Sequence, residues 1–116
     1  MITEKEKKNR DELFRLMKEN PELPIVPMVD SEICGGDFAY YMGVWGWAEI
    51  DEILICENNY DSIEFKSDHD IYNTLYHYLK PEQYDELPDN YDLCEEIYNN
   101  LPWKKVIVVF IIHEQK

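Results

Sequence analysis

The N-terminal part of the chain combines one helical pattern with one strand pattern. Thr3 and Glu6 have the spacing of a capping box, and the apolar residues that follow recur at helical intervals. This pattern predicts a first helix over residues 4–19, which ends before an Asn-Pro pair. The next apolar run, residues 25–29, contains Pro27, whose nitrogen cannot donate a hydrogen bond to a neighbouring strand. We therefore expect an edge strand there.

Further segments have the composition of β-strands. Residues 38–48 are rich in aromatic side chains, and two acidic residues interrupt the pattern before the apolar run 53–56. A turn follows, and residues 62–66 alternate apolar and polar side chains, so the two runs predict a meander. Residues 104–113 contain seven consecutive apolar residues rich in Val and Ile. Such a run is typical of a strand that is buried on both faces and is central in its sheet.

Two more helices are predicted between the meander and the last strand. After the capping candidates Ser67 and Asp70, apolar residues recur at four-residue spacing until a Lys-Pro pair. Residues 81–88 have the composition of an acidic loop. Asp89 or Asn90 then caps a third helix, which we expect to direct its apolar residues inward: Leu93, Cys94, Ile97, Tyr98 and Leu101.

The element order is therefore α-β-β-β-β-α-α-β. It predicts an α+β fold in which one mixed or antiparallel sheet of about five strands packs with three helices. At 116 residues, 45% of them hydrophobic, the chain has the size of a single domain, residues 1–116. No apolar run approaches the about 20 residues of a membrane helix, and three cysteines do not form a disulfide framework. We therefore expect a cytoplasmic protein without a membrane partner.

Charge changes this picture more than composition does. The chain has 25 acidic and 11 basic residues, a formal net charge of −14. Residues 1–20 are nearly balanced, whereas residues 21–102 contain nineteen acids and two bases, Lys66 and Lys80. Such a field repels DNA, RNA and anionic lipid and attracts basic proteins. Acidity that serves only solubility is the alternative, although solubility requires a net charge of only about 2 to 8.

Tyrosines beside carboxylates, and two nearby tryptophans, indicate the surface that a basic partner would contact. A carboxylate pairs with a guanidinium while a neighbouring ring stacks on it, which suits Arg-rich surfaces that normally bind nucleic acid. Tryptophans are enriched at interfaces, with core packing as the alternative. The predicted partner-binding residues are Trp45, Trp47, Asp51, Glu52, Glu57, Tyr60, Asp61, Glu64, Tyr84, Asp85, Glu86, Asp89, Asp92, Glu95 and Glu96.

No motif in the chain specifies a catalytic or metal site. The histidines, His69, His77 and His113, and the three cysteines lack the paired spacings of zinc sites. Cys34 precedes two glycines, as a nucleophile in an oxyanion-forming turn would, but the same residues are ordinary in hairpin turns. We therefore predict no catalytic residue, no cofactor and no metal, in a protein that is not an enzyme.

Three segments carry a resemblance to known proteins. Residues 20–29 (NPELPIVPMV), 43–46 (GVWG) and 102–108 (PWKKVIV) resemble segments of small proteins from phages and mobile elements, a group without an assigned function. The resemblance covers most of the chain and transfers no site residue, because it includes no catalytic motif. In size and charge the chain is also similar to anti-restriction and anti-CRISPR inhibitors, a class united by role rather than by sequence.

These observations lead to one hypothesis and three alternatives. The hypothesis is a non-enzymatic acidic inhibitor that mimics nucleic acid and binds the basic groove of a host defence nuclease or CRISPR effector. The first alternative is an immunity protein that neutralises a toxin. The second is a structural or regulatory homo-oligomer, for example a homodimer formed through Tyr41, Trp45 and Trp47. The third is a minor enzyme built around Cys34.

Overall fold

The computed structural model describes residues 2–57 and 62–113, and these form an α+β fold with one mixed four-stranded sheet. The strand order is β1-β4-β2-β3, with β1 parallel to β4 and β2 antiparallel to β3. The predicted class is therefore confirmed. The elements are α1 (Glu4–Glu19), β1 (Ile25–Val29), β2 (Val44–Cys56), β3 (Ser62–Phe65), α2 (Ile71–Tyr78), α3 (Pro81–Asp85), α4 (Tyr91–Asn99) and β4 (Lys104–Ile112).

The chain divides into two compact units, which we describe separately. The first unit comprises Met1–Ile50 with Val106–Lys116, and the second comprises Asp51–Lys105. Strands β2 and β4 contribute residues to both units. The single domain expected over residues 1–116 stays a prediction. None of the helices in the described part of the chain has the length and apolarity needed to span a lipid bilayer.

In the first unit, α1 packs on β4. Leu13 and Leu16, one helical turn apart, are buried against Ile107 and Val109 of the strand. Strand β1 pairs with the same strand in the register Ile25↔Ile107 and lies at the sheet edge. The positions expected for the first helix, the edge strand and the central strand are therefore confirmed.

The predicted capping box at the start of α1 is half formed, because Thr3 caps the helix while the Glu6 side chain bonds elsewhere. The hydroxyl of Thr3 accepts a hydrogen bond from the backbone N–H of Glu6 at 3.0 Å, as the sequence predicts. The Glu6 carboxylate accepts a hydrogen bond from the backbone N–H of Trp45 at 2.8 Å. Asn9, one turn later, donates to the carbonyl oxygen of Trp45 at 3.0 Å. Polar side chains of α1 thus position the first residues of β2.

The predicted strands 38–48 and 53–56 are wrong in their boundaries, because β2 is one strand from Val44 to Cys56. Asp51 and Glu52 do not interrupt it. Asp51 accepts a hydrogen bond from the hydroxyl of Ser67, and Glu52 lies 3.4 Å from the Lys66 ammonium. Both carboxylates therefore have polar partners while their residues remain in the strand. The sheet in the described residues therefore has four strands rather than five.

The segment before β2 is not a strand because its backbone bonds to a side chain. The hydroxyl of Tyr41 accepts hydrogen bonds from the N–H groups of Gly36 and Phe38 at 3.1 and 3.3 Å. These bonds organise residues 36–41 as a loop. The loop leaves Phe38, Tyr40 and Met42 exposed by 77%, 92% and 96%.

In the second unit, α2 packs against α4. Ile71 and Leu75 form a buried cluster with Cys94 and Tyr98, as expected from their spacing. Asn90 is the N-cap of α4, and its side-chain oxygen accepts a hydrogen bond from an N–H in the first turn at 3.2 Å.

Three expectations for the second unit are wrong. Leu93 is exposed by 47% rather than turned inward, because α4 directs the neighbouring Cys94 into the core. Asp70 occupies the N-cap position of α2 without a side-chain hydrogen bond, and Ser67 bonds to Asp51 instead. Residues 81–88 are not wholly a loop, because Pro81 begins the short helix α3. The side-chain oxygen of Gln83 accepts a hydrogen bond from the backbone N–H of Lys80, the residue before this helix.

Gly46 provides a test of the packing in the first unit. It lies in β2, where an added Cβ would stand 2.6 Å from the carbonyl oxygen of Phe110, a backbone atom that cannot rotate away. We expect Gly46→Ala to lower the free energy of unfolding by about 1–3 kcal/mol, measured by urea denaturation followed by tryptophan fluorescence. Gly35→Ala is the matched control, because a Cβ added at Gly35 would stand 3.9 Å from the nearest atom, the carbonyl oxygen of Glu32. Equal denaturation midpoints for the two variants would contradict this packing.

Candidate protein-binding site

The second unit contains a long stretch of unneutralised negative charge. We call residues 81–103, which include α3 and α4, the acidic segment; it contains seven carboxylates and no Lys or Arg. Within residues 2–57 and 62–113, none of the seven lies within 4.0 Å of a Lys or Arg nitrogen. All but Glu95 are exposed: Glu82, Asp85, Glu86, Asp89, Asp92 and Glu96.

The acids of α1 are in a different environment. Arg15 forms ion pairs with both Glu12 and Glu19. Its hydrogen bond to Glu12 holds the pKa of that carboxyl below its usual range. The two units also differ in formal charge. The first unit has a net charge of −4, whereas the second has fourteen acids, four lysines and a net charge of −10. Negative charge is concentrated in the second unit.

Tyrosines of α2 lie beside tyrosines of the acidic segment. The rings of Tyr72 and Tyr91 are 6.1 Å apart between centroids, and those of Tyr76 and Tyr84 are 5.2 Å apart. Desolvation raises the pKa of Tyr72, and nearby groups that include Asp89 raise it further. Tyr72, Tyr76 and Tyr91 are exposed, so these neutral phenol rings offer stacking surfaces next to carboxylates.

Helix α4 also forms an open apolar groove of about 480 Å³. Leu93 and Ile97, one turn apart on the helix, lie in its wall, and Glu96 supplies a carboxylate to its lining. We call this feature the α4 groove; its lining residues are Pro88, Leu93, Glu96, Ile97, Asn100 and Leu101.

Tyr98 anchors the buried side of α4. Its ring is fully buried, and its hydroxyl donates a hydrogen bond to the carbonyl oxygen of Lys66 at 3.0 Å. The indole N–H of Trp103 donates to the carbonyl oxygen of Tyr98 at 2.8 Å. Burial, followed by the charges of Asp68 and other nearby carboxylates, raises the pKa of Tyr98 to about 12. Because α4 is fixed on this side, its acids and groove residues keep a defined orientation.

Four of the predicted partner-binding residues are used inside the second unit. Glu64 lies 2.6 Å from the ring of His77, and the two side chains are only 13% and 20% exposed. Glu95 lies 3.1 Å from His69. Asp51 and Glu52 bond to Ser67 and Lys66 as described above. These four carboxylates are therefore less available to a partner protein than the exposed acids of the acidic segment.

The remaining predicted residues fall into three groups. Tyr84 and the exposed acids Asp85, Glu86, Asp89, Asp92 and Glu96 belong to the second unit. Glu57 is exposed, whereas Tyr60 and Asp61 lie outside the described residues. Trp45 and Trp47 belong to the first unit.

The tryptophans of β2 border an exposed aromatic surface in the first unit. Trp47 stacks on Phe110 with 4.4 Å between ring centroids and remains 52% exposed. Met28, Trp47 and Phe110 line a shallow groove of about 270 Å³. We call the exposed side chains of Phe38, Tyr40, Met42 and Trp47, all of the first unit, the aromatic surface.

The three cysteines differ in exposure. Cys34 is exposed, whereas Cys56 and Cys94 are buried, and burial raises the pKa of the Cys56 thiol. Within residues 2–57 and 62–113, no three His, Cys, Asp or Glu side chains are grouped so that they could hold a metal ion.

Comparison with known proteins adds no relative. No protein-family model, curated protein or solved structure matches the chain. The resemblance to phage and mobile-element proteins therefore stays a prediction. The α4 groove and the exposed tyrosines of α2 are features that we did not predict, although Leu93, Ile97 and Leu101 already show a second four-residue spacing along α4.

Tyr98→Phe tests the anchor of α4. Removing the hydroxyl loses one of the two hydrogen bonds that the Lys66 carbonyl accepts and leaves the N–H of His69 as its donor, so we expect the free energy of unfolding at neutral pH to fall by about 0.5–1.5 kcal/mol. An unfolded tyrosine loses its proton near pH 10, whereas folded Tyr98 keeps it until about pH 12. The advantage of the wild type over Tyr98→Phe is therefore full below pH 10 and shrinks as pH rises toward 12. Urea denaturation over this range measures the difference.

The control for that experiment is Tyr40→Phe, because the Tyr40 ring is 92% exposed. We expect this change to leave both the stability and its pH dependence unaltered. A Tyr98→Phe protein with the same stability as the wild type at neutral pH would show that the hydrogen bond to Lys66 does not hold α4.

Proposed function

We propose that the protein is a non-enzymatic acidic inhibitor that occupies the basic, nucleic-acid-binding surface of another protein, such as a host defence nuclease or a CRISPR effector. One observation carries the proposal: the six exposed carboxylates of the acidic segment have no Lys or Arg partner in the described residues. Exposed carboxylates without counter-charges are available to the cations of another protein.

The spacing of these carboxylates supports the proposal. Asp92 and Glu96 are one turn apart on α4, so their Cβ atoms lie about 5–6 Å apart on one side of the helix. Lys and Arg side chains that neutralise successive phosphates of a nucleic acid can pair with carboxylates presented in such a row. The exposed rings of Tyr72 and Tyr91 add surfaces on which a guanidinium can stack.

The charge distribution also supports fast and selective association. The second unit has a net charge of −10, and the first has −4, so a basic partner is drawn toward the second unit. Steering of this kind raises association rates and weakens as salt screens the charges.

The aromatic surface favours a second candidate function, a homo-oligomer. Phe38, Tyr40 and Met42 are among the most exposed large side chains in the described residues. Large apolar side chains that stay exposed are typical of surfaces that contact other proteins. In this alternative, the charge of the second unit maintains solubility and the aromatic surface forms the contact between copies.

A charge-reversal experiment tests the inhibitor function. The variant Asp85→Lys, Glu86→Lys, Glu96→Lys is compared with the wild type against a panel of purified defence nucleases and CRISPR effectors by biolayer interferometry. We expect at least one basic partner whose association rate falls about ten-fold or more in the variant, because the steering field is reduced. Raising salt from about 50 mM to about 300 mM slows wild-type association in the same way, and the bound protein excludes DNA or RNA from that partner.

The matched control is Glu22→Lys, Glu32→Lys, Glu49→Lys, which changes the net charge equally at three exposed positions of the first unit. We expect its association rate to change less than about three-fold. Equal losses in the two variants would mean that only overall charge matters. Binding that does not change with salt would count against the proposal.

Sedimentation analysis tests the homo-oligomer. If the aromatic surface joins two copies, the wild type sediments as a dimer, and Met42→Ser raises the dimer dissociation constant about ten-fold or more, because the exposed Met42 side chain is lost from the contact. Ile63→Thr, at an exposed position of β3, is the control that leaves the dimer unchanged. A wild-type monomer at all concentrations removes this candidate.

A further inference from the structure

The α4 groove leaves part of its apolar lining open to solvent, although Ile97 and Leu101 also pack against the buried cluster of the second unit. Leu93 is a hydrophobic side chain on a two-turn helix, yet 47% of it remains exposed. Covering it would remove apolar surface from water, which is favourable in proportion to the area buried. The groove has about 480 Å³ of space, which is enough for more than one aliphatic side chain.

The charges around the groove restrict what can cover it. Glu96 lies in the lining, and Asp92 stands one turn before it on α4. The acidic segment contributes no cation, so an acidic or uncharged occupant would leave these carboxylates unpaired. An occupant that complements the groove brings aliphatic side chains and positive charges together.

The length of the groove indicates the form of this occupant. From Leu93 to Asn100, the C-cap of α4, the chain rises about 10 Å along the helix axis, or two helical turns. An amphipathic helix laid along such a groove presents side chains at positions i, i+3, i+4 and i+7 over a similar length.

We propose that the α4 groove binds a Lys- and Arg-rich amphipathic helix of the partner protein. Leucine-type side chains of that helix enter the groove between Leu93 and Ile97, and its cations pair with Glu96 and Asp92. The inference rests on the proposed function and deepens it, since it names the element of the basic partner that is recognised. A second copy of the chain is a poorer occupant in a groove-to-groove contact, because that contact brings the same carboxylates together.

Two synthetic peptides test this inference. The first is a helix of about 18 residues with Lys and Arg on one face and Leu at positions i, i+3, i+4 and i+7 on the other. The second has the same charges but Ala in place of each Leu, which preserves helix propensity. We expect the intact protein to bind the Leu peptide about ten-fold or more tightly than the Ala peptide by fluorescence anisotropy at about 50 mM salt.

Two variants locate the contact. Leu93→Ser is expected to reduce the preference for the Leu peptide to less than about three-fold, because the aliphatic wall is lost. Ile55→Thr is the matched control, at an exposed apolar position that does not line the groove, and it keeps the full preference. As a measurement that needs no variant, the Leu peptide should shift the methyl NMR signals of Leu93 and Ile97 but not that of Ile55.

Each contrary outcome overturns the inference in a recognisable way. If both peptides bind equally and salt weakens both, the groove is not used, although the acidic surface still attracts a basic partner and the proposed function stands. If neither peptide binds, the groove does not recognise a basic helix, and the nuclease panel decides the proposed function separately. If the methyl signals shift with protein concentration alone, a second copy occupies the groove.

Discussion

Burial of the central strand is the constraint on which the first unit depends. The side chains of Val106, Ile107, Val108 and Val109 are almost completely buried, so the strand needs partners along its edges and cover on its faces. Strand β1 supplies a parallel neighbour, and α1 supplies leucines over Ile107 and Val109. The run from Val106 to Ile112 contains no charged residue, which concentrates the acids of the chain on helices, loops and other strands. The unmatched negative charge itself comes from the excess of 25 acids over 11 bases.

The elements that the sequence predicts well are those with a strong local pattern. The stripe of α1, the proline of β1 and the apolar run of β4 each depend on neighbours in the sequence, and each lies where its pattern indicates. The sequence pattern divides β2 into two strands because Asp51 and Glu52 resemble a break. Their partners, Ser67 and Lys66, come from after the next strand and give no local signal. The sequence pattern does not indicate the helix α3, because its five residues are too few to show a helical repeat of apolar positions.

The candidate site could be predicted as a class of surface but not as a set of residues. Composition and spacing identify the acidic segment, since the absence of Lys and Arg from residues 81–103 is visible in the sequence. Tertiary contacts decide which carboxylates are available to a partner protein. Glu64 contacts His77, and Glu95 contacts His69. The exposure of Leu93 is also a tertiary property, because α4 has two apolar stripes and packing against α2 decides which one is buried.

Pro27 has a consequence for how this protein behaves at high concentration. Strand β1 lies at an edge of the sheet, where an unprotected row of N–H and C=O groups is a template for adding strands from other molecules. Proline offers no N–H at the middle of the five-residue strand, so an incoming chain would meet an interrupted ladder. A protein that displays Phe38, Tyr40 and Met42 to solvent has many sites for nonspecific adhesion. The interrupted edge therefore opposes the addition of a strand to β1.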